Sequence, residues 1–284
     1  MSEYKASVTA TKFHRDPSFI RGLMGPIGSG KSVACCMDIM MKANTAPISD
    51  DGVRRSRWLV ARNTYRELQD TTIQTWKDWF DPEQVGEWSV QDIKHTIEAR
   101  LPDGTTMHLE VLFRSLDKPE DVKKLLSLEL SGAWLNEARE LPKAVLDMLQ
   151  GRVGRYPSAR LGGRRRGDII MDTNPPDDDH WWYTTFEETR PNGWALYRQP
   201  GGLSPDAENI PNLPPDYYHR LLEGHDKNWV DVYVHGKYGF IQDGKPVFPS
   251  FDDTLHVLKY PPKIHQNEDI YIGVDFGLTP AACQ

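Results

Sequence analysis

The chain has 284 residues, 38% of them hydrophobic, enough for one large domain or two small ones. A formal net charge of −7 rules out a generic polycation, so any nucleic-acid contact has to come from local basic patches on an acidic background. Three cysteines, two of them adjacent at Cys35 and Cys36, make no disulfide framework and fit a reducing compartment.

The first residues, MSEYKASVTATKFHRDPSF, lack the apolar core of a signal peptide, as expected of a soluble intracellular protein. FIRGLMG then reads as a strand running into GPIGSGKS, where Gly25 is followed by four residues and then Gly30-Lys31-Ser32. This is a complete phosphate-binding pattern. Small residues at Gly25, Gly28, Ser29 and Gly30 let backbone N–H groups turn toward phosphate oxygens, and the next helix adds the positive end of its dipole. Lys31 is the candidate for the β- and γ-phosphates of ATP, and the Ser32 hydroxyl for Mg2+. KSVACCMDIMMKA has helical spacing, with Cys35 and Cys36 as packing residues. Its apolar run is short and interrupted by Asp38, so no membrane span is expected.

SRWLVAR is a second strand, followed by the helix-like RELQDTTIQTWKDWF, and Arg62 and Arg66 fall near the nucleotide edge between them. TMHLEVLFRS alternates as a strand, LSGAWLNEA contains a short one, and GDIIMDTNPP holds another that is fully apolar. Strands separated by helical patterns predict an α/β fold with a mostly parallel sheet and helices on both faces, and the phosphate-binding loop marks it as a P-loop NTPase. From about Pro200 the texture turns to PGGLSPDAENIPNLPPD, rich in Pro and Gly, and a helix-like stretch follows from Tyr217 to Val234. The expected division is a core over 1–200, a lid or linker over 201–245 and a further segment over 246–284.

A phosphate grip needs a group to hold the metal and an acid to orient the attacking water. Two strand ends compete. One closes with Asn136-Glu137, the other with Asp172-Thr173-Asn174. The second has the stronger apolar pattern before its acid. The first offers Glu137 as a carboxylate placed to act on water, leaving Thr173 and Asn174 to sense the γ-phosphate.

At this point five pieces in order, GPIGSGKS, LFRSLDKPEDVKKLLSLELSGAWLNEARELP, MDTNPPDDDHWWYTTF, VHGKYGFIQDGKPVFPSF and YIGVDFGLTPAAC, resemble the large terminase subunit of tailed bacteriophages. The resemblance implies a P-loop NTPase of the RecA/ASCE-like kind, an ATPase that drives double-stranded DNA into procapsids through a portal protein. It also implies a small terminase subunit as partner, a homo-oligomeric ring on the portal, no membrane, and action in the host cytoplasm. It implies Glu137 as catalytic carboxylate, Thr173 and Asn174 as the pair coupling hydrolysis to movement, and Asn136 at the metal-holding position. The family commonly has Asp there, so Asp172 on the neighbouring strand is the alternative. Asp275 in IYIGVDFGL implies the first strand of an RNase H-like endonuclease domain. Two-metal cleavage needs acids from several strands, so this chain is expected not to cut DNA. Lys123, Lys124, Arg152 and Arg155 are candidates for a finger reaching a neighbour's γ-phosphate. GGRRRG at 162–167 is a basic loop suited to phosphate contact, and Trp181 and Trp182 read as core. A helicase-type ATPase, a nucleotide kinase and a non-hydrolysing binding module are the other readings, and Glu137 separates the last.

Overall fold

The computed structural model describes residues 3–116, 119–162 and 167–239. These lie in one compact unit, Met1–Ile241, and the second unit, Gln242–Gln284, falls outside the described residues together with Asp275 and Arg164–Arg166.

The strands are β1 Ile20–Met24, β2 Val53–Arg62, β3 Glu87–Ser89, β4 Lys94–Arg100, β5 Thr106–Ser115, β6 Gly132–Asn136, β7 Asp168–Thr173 and β8 Trp194–Arg198. They form one sheet in the order β3-β4-β5-β2-β6-β7-β1-β8. The pairs from β5 through β8 are all parallel, whereas β3, β4 and β5 run antiparallel to their neighbours along that edge. The sheet is thus mostly parallel as the alternation predicts, with an antiparallel edge that short strands and tight turns permit. Strands β3, β4 and β8 and the helix Val8–Arg15 (α1) carry weaker sequence patterns than the central strands and emerge from the structure.

Side-chain alternation divides the core in two. Leu23, Val60, Trp134 and Ile170 face a helical layer that includes α1 and α2 (Lys31–Asn44). Met24, Leu59, Ala61, Leu135 and Met171 face the other way, toward Val145, Leu146 and Leu149 of the helix Lys143–Gln150 and toward the buried Trp182. Helices on both faces explain why β6 and the middle of β7 read as apolar runs and why β1 is buried throughout, its Arg21 paired with Asp38 at 2.8 Å. Within the helix-like segment after β2, helical turns at Tyr65–Glu67 and Gln74–Trp79 flank a π-helical stretch, Leu68–Ile73. The expected helix from Tyr217 to Val234 is instead two short ones, Tyr217–Arg220 and Lys227–Tyr233. Gly224, at φ 82, breaks the run, and Asp226 caps the second piece by accepting from Trp229 N at 2.9 Å. No helix among the described residues is long and apolar enough to cross a membrane.

Close packing is sharpest where β6 passes β2. Gly132 pairs with Trp58, and a Cβ on Gly132 would lie 2.6 Å from atoms of that buried indole. Gly132→Ala is expected to destabilise the fold by about 1–3 kcal/mol through overpacking. A urea titration checks this as a lowered midpoint with an unchanged slope.

Candidate functional site

Strand β1 delivers the chain into a loop whose two turning residues, Gly28 and Gly30, take φ values of 74° and 81°. The segment after β8 covers this loop. A Cβ on Gly28 would lie 3.0 Å from the Tyr217 ring and 3.1 Å from Leu213. Asn209 Nδ2 donates to Gly28 O at 2.7 Å, and Tyr218 OH donates to Ile27 O at 2.7 Å. On the inner side, Gln199 clamps Ser29: its Oε1 accepts from the Ser29 hydroxyl at 2.7 Å and its Nε2 donates to Ser29 O at 2.9 Å. The same Nε2 donates to Glu208 at 3.0 Å, and Glu208 in turn accepts from Thr9 N at 2.7 Å and Ser7 Oγ at 2.6 Å. Burial alone would raise the Glu208 pKa, but these donors outweigh it and hold the carboxyl below its ordinary value.

Lys31 opens α2, and its buried ammonium donates to Pro26 O at 2.7 Å, Gly25 O at 3.1 Å and Asn174 Oδ1 at 3.0 Å. Desolvation pulls its pKa below the ordinary lysine value, against the pull of Glu137 and Asp172. Around it lies a pocket of about 310 Å³, lined by 27–33 of the loop and helix with Thr75, Glu137, Asn174, Asn209 and Leu213. A larger cavity of about 670 Å³ lies beside it along 202–222, lined mainly by apolar and proline residues, and Leu213 borders both.

Behind the loop sits a buried polar cluster. Asp172 of β7 accepts from Ser32 Oγ at 2.8 Å, from Trp134 Nε1 at 2.7 Å and from Asn136 Nδ2 at 3.0 Å. Asn136 Oδ1 in turn accepts from Arg62 Nη1 at 3.0 Å and from Thr72 Oγ1 at 2.6 Å. Thr72 lies in the π-helical stretch, so the irregular turn is what aims this hydroxyl at the end of β6. Arg62 is nearly buried, and its guanidinium also lies 3.4 Å from Glu140.

The chain turns sharply after β6. Glu137 holds φ 48° and ψ 57°, a left-handed conformation that costs a non-glycine residue about 1–3 kcal/mol. This turn places its carboxyl at the pocket wall. Desolvation raises the Glu137 pKa, opposed by Lys31, Arg62 and Arg139 and reinforced by Asp172. Two residues on, Arg139 ties the neighbouring strand end: its N donates to Thr173 Oγ1 at 3.3 Å and its Nη1 to Pro175 O at 3.2 Å. Arg139 Nη2 donates to Tyr233 OH at 2.9 Å, and Ile27 N of the loop donates to Tyr233 O at 2.9 Å.

The structure therefore gathers Gly28, Ser29, Gly30, Lys31, Ser32, Glu137 and Asn174 at one pocket, with Asn136, Asp172 and Arg62 immediately behind it. Gly25 lies at the base of the loop, donating to Thr173 O at 3.3 Å. Arg66 is exposed and faces Asp70 at 3.5 Å, outside the pocket. Lys123, Lys124, Arg152 and Arg155 do not line it either. Trp182 is fully buried against Phe186, and Trp181 donates to Leu141 O at 2.8 Å. Sequence reasoning missed Thr72, Trp134, Arg139, Gln199 and Asn209. Only Arg139 carried a signal, its nearness to Glu137. No group of three or more His, Cys, Asp or Glu side chains fit to hold a metal occurs among the described residues.

Residues 18–200 match the family model of the phage terminase large subunit. The large terminase of a thermophilic bacteriophage has a similar fold, with a TM-score of 0.66 at 15% identity over 96% of this chain and 63% of that one. The same protein in complex with ADP gives 0.64 at 16% identity, over 95% and 62%. The ATPase domain of the Thermus phage P74-26 large terminase gives 0.54 at 14% identity, over 83% and 94%. The chain thus spans less than two thirds of the first of these proteins, and at these identities the likeness is one of fold. No curated protein sequence matches the chain.

Lys31→Ala removes a cation suited to two phosphate oxygens, each charge-assisted hydrogen bond being worth about 1.5–3 kcal/mol. Titration with a fluorescent ATP analogue is expected to show affinity reduced by roughly 100-fold or more. Unchanged affinity would remove the loop from nucleotide binding.

Proposed function

Because the chain belongs to the phage terminase large-subunit family, we propose that it hydrolyses ATP to drive double-stranded DNA into a procapsid. The observation that carries this reading is the convergence of Lys31, Ser32, Glu137 and Asn174, from three strand ends, on a single pocket. That the fold neighbour from the thermophilic phage was solved with ADP and with ATP-γ-S supports the nucleotide.

In this reading Lys31 exchanges its carbonyl contacts for the β- and γ-phosphates of ATP. The loop is held to shape by Gln199 on one side and by Asn209 and Tyr218 on the other. The donor set suits Mg2+, which takes few protein ligands and oxygen ones: the Ser32 hydroxyl, backed by the Asn136–Asp172 pair, would hold it. When bound, the ion neutralises charge developing on the phosphate oxygens. Glu137 takes a proton from the attacking water. The Lys31, Arg62 and Arg139 charges around it favour the ionised form that this task requires, and burial strengthens it as a base.

Asn174 touches the Lys31 ammonium, and Thr173 meets the Arg139 backbone two residues beyond Glu137. A change in what Lys31 binds is therefore felt at the β7 end, which supports Thr173 and Asn174 as the coupling pair. The moving partner is duplex DNA. The portal of the procapsid, a small terminase subunit and further copies of the chain in a ring on the portal complete the proposed assembly, which works in the host cytoplasm.

Glu137→Gln is expected to keep ATP affinity while turnover falls by about 100-fold or more. Because the Glu137 pKa is raised, the acid limb of the wild-type pH–rate profile should lie above the ordinary carboxyl range, and the variant should lose that limb. If Glu137→Gln turned over ATP normally, the carboxylate that activates water would lie elsewhere.

Asn174→Ala, placed in a terminase active in a packaging assay, is expected to retain ATP binding yet stop DNA packaging. Packaging at the wild-type rate would remove the coupling role.

A further inference from the structure

We propose that the metal-side carboxylate of this nucleotide site is Asp172 on β7, and that Asn136, at the β6 position where the family commonly carries an acid, serves as its neutral hydrogen-bond partner. The inference rests on the reading of the loop as an ATP site and assigns a role that the β6 strand end does not fill.

The first ground is where each polar atom points. Ser32 Oγ donates to Asp172 Oδ2 at 2.8 Å, whereas Asn136 offers the same hydroxyl its Nδ2 at 3.3 Å. The amide oxygen of Asn136 faces the other way and is occupied by Arg62 and Thr72 at 3.0 and 2.6 Å. The orientation is set by chemistry. A flipped amide would direct N–H groups at a guanidinium and its oxygen at a carboxylate. A hard cation seeking oxygen at Ser32 thus meets the Asp172 carboxylate and only the donor face of Asn136.

The second ground is charge. Asn136 Nδ2 lies 3.0 and 3.2 Å from the two Asp172 oxygens. An acid at 136 would bring a second carboxylate to that separation in a buried site, where like charges cannot both stay ionised without a bound cation. An amide at 136 is what Asp172 requires as a neighbour. The neutral residue on β6 and the acid on β7 therefore form one arrangement, in which a single charge has changed strands.

The third ground is the charge left to balance. Asp172 is fully buried and accepts from Trp134, Asn136 and Ser32. Among the described residues no Lys or Arg nitrogen is in ion-pair contact with it, although the Lys31 ammonium acts on it from a greater distance. A buried carboxylate is costly without a close counter-charge, and a divalent ion at Ser32 would supply one.

The test compares wild type, Asp172→Asn and the exchange Asn136→Asp/Asp172→Asn. Mn2+ binding in the presence of ADP is followed by electron paramagnetic resonance, and fluorescent-ATP affinity is measured in EDTA. Asp172→Asn is expected to weaken Mn2+ by about 10- to 100-fold, the scale for groups that support a metal, and not to weaken ATP binding in EDTA, because it removes a negative charge beside the phosphate site. The exchange keeps one carboxylate and one amide but moves the acid to position 136, where Arg62 and Thr72 hold its oxygen away from Ser32, so it should not restore the Mn2+ binding. Wild-type Mn2+ affinity in Asp172→Asn overturns the proposal. Should that single variant fail to fold, the exchange decides: loss of Mn2+ affinity in a folded protein that binds ATP in EDTA supports the proposal, and Mn2+ affinity near wild type, without Asp172, overturns it. A wild-type chain that binds no ATP would instead fail the underlying reading, and this one with it.

Discussion

The buried carboxylate of Asp172 can exist only if every one of its acceptor sites is met, and the strand register around it is what meets them. Parallel pairing sets Asp172 beside Leu23 of β1 on one side and beside Asn136 of β6 on the other. Residues at matched positions on parallel strands share a face, so Asp172, Asn136, Trp134 and Arg62 all turn toward the layer of α2, where Ser32 waits in the first turn. A slip of one residue in β7 would send Asp172 to the opposite face, against Leu146 and Trp182. The cost of stranding a carboxylate there makes the register a strongly specified feature of the fold.

From that point the site extends through groups that constrain one another. The Lys31 ammonium links the loop to Asn174 at the end of β7. Arg139 links the end of β6 to Thr173, Pro175 and Tyr233, and Tyr233 O returns to the loop at Ile27. The result is a closed ring of contacts around the pocket, with Glu137 held in a left-handed turn at its wall. Backbone strain of this kind persists where the surroundings over-determine it, and the Ala138 side chain buried beside it is part of that hold.

A second support reaches the loop from the edge of the sheet. Gln199, just past β8, spends its amide nitrogen and its oxygen on Ser29 and Glu208. Glu208 carries the connection on to Ser7 and Thr9 at the start of α1. The N-terminal helix, the edge strand and the segment beyond residue 200 are thereby joined to the glycine loop 25–32. Residues 201–239 pack on the loop through Asn209, Tyr218 and Tyr233, so the change of composition near Pro200 marks a change of texture within one compact unit.

What the sequence by itself determined was local. The loop 25–32, the five strong strands and the acids at their ends were legible because apolar periodicity and a glycine-spaced motif are properties of neighbouring residues. Glu137 and Asn174 were legible for the same reason, each lying within two residues of the polar residue where an apolar run stops. Whether Asn136 or Asp172 faces Ser32 was not, because both end a strand and nothing in either segment records which strand lies next to β1. The sheet order decided it, by placing β7 between β1 and β6. Thr72, Arg139, Gln199 and Asn209 were hidden for a related reason. Each reaches its partner across at least 34 residues of sequence, and a hydrogen bond of that span is written only in the folded backbone.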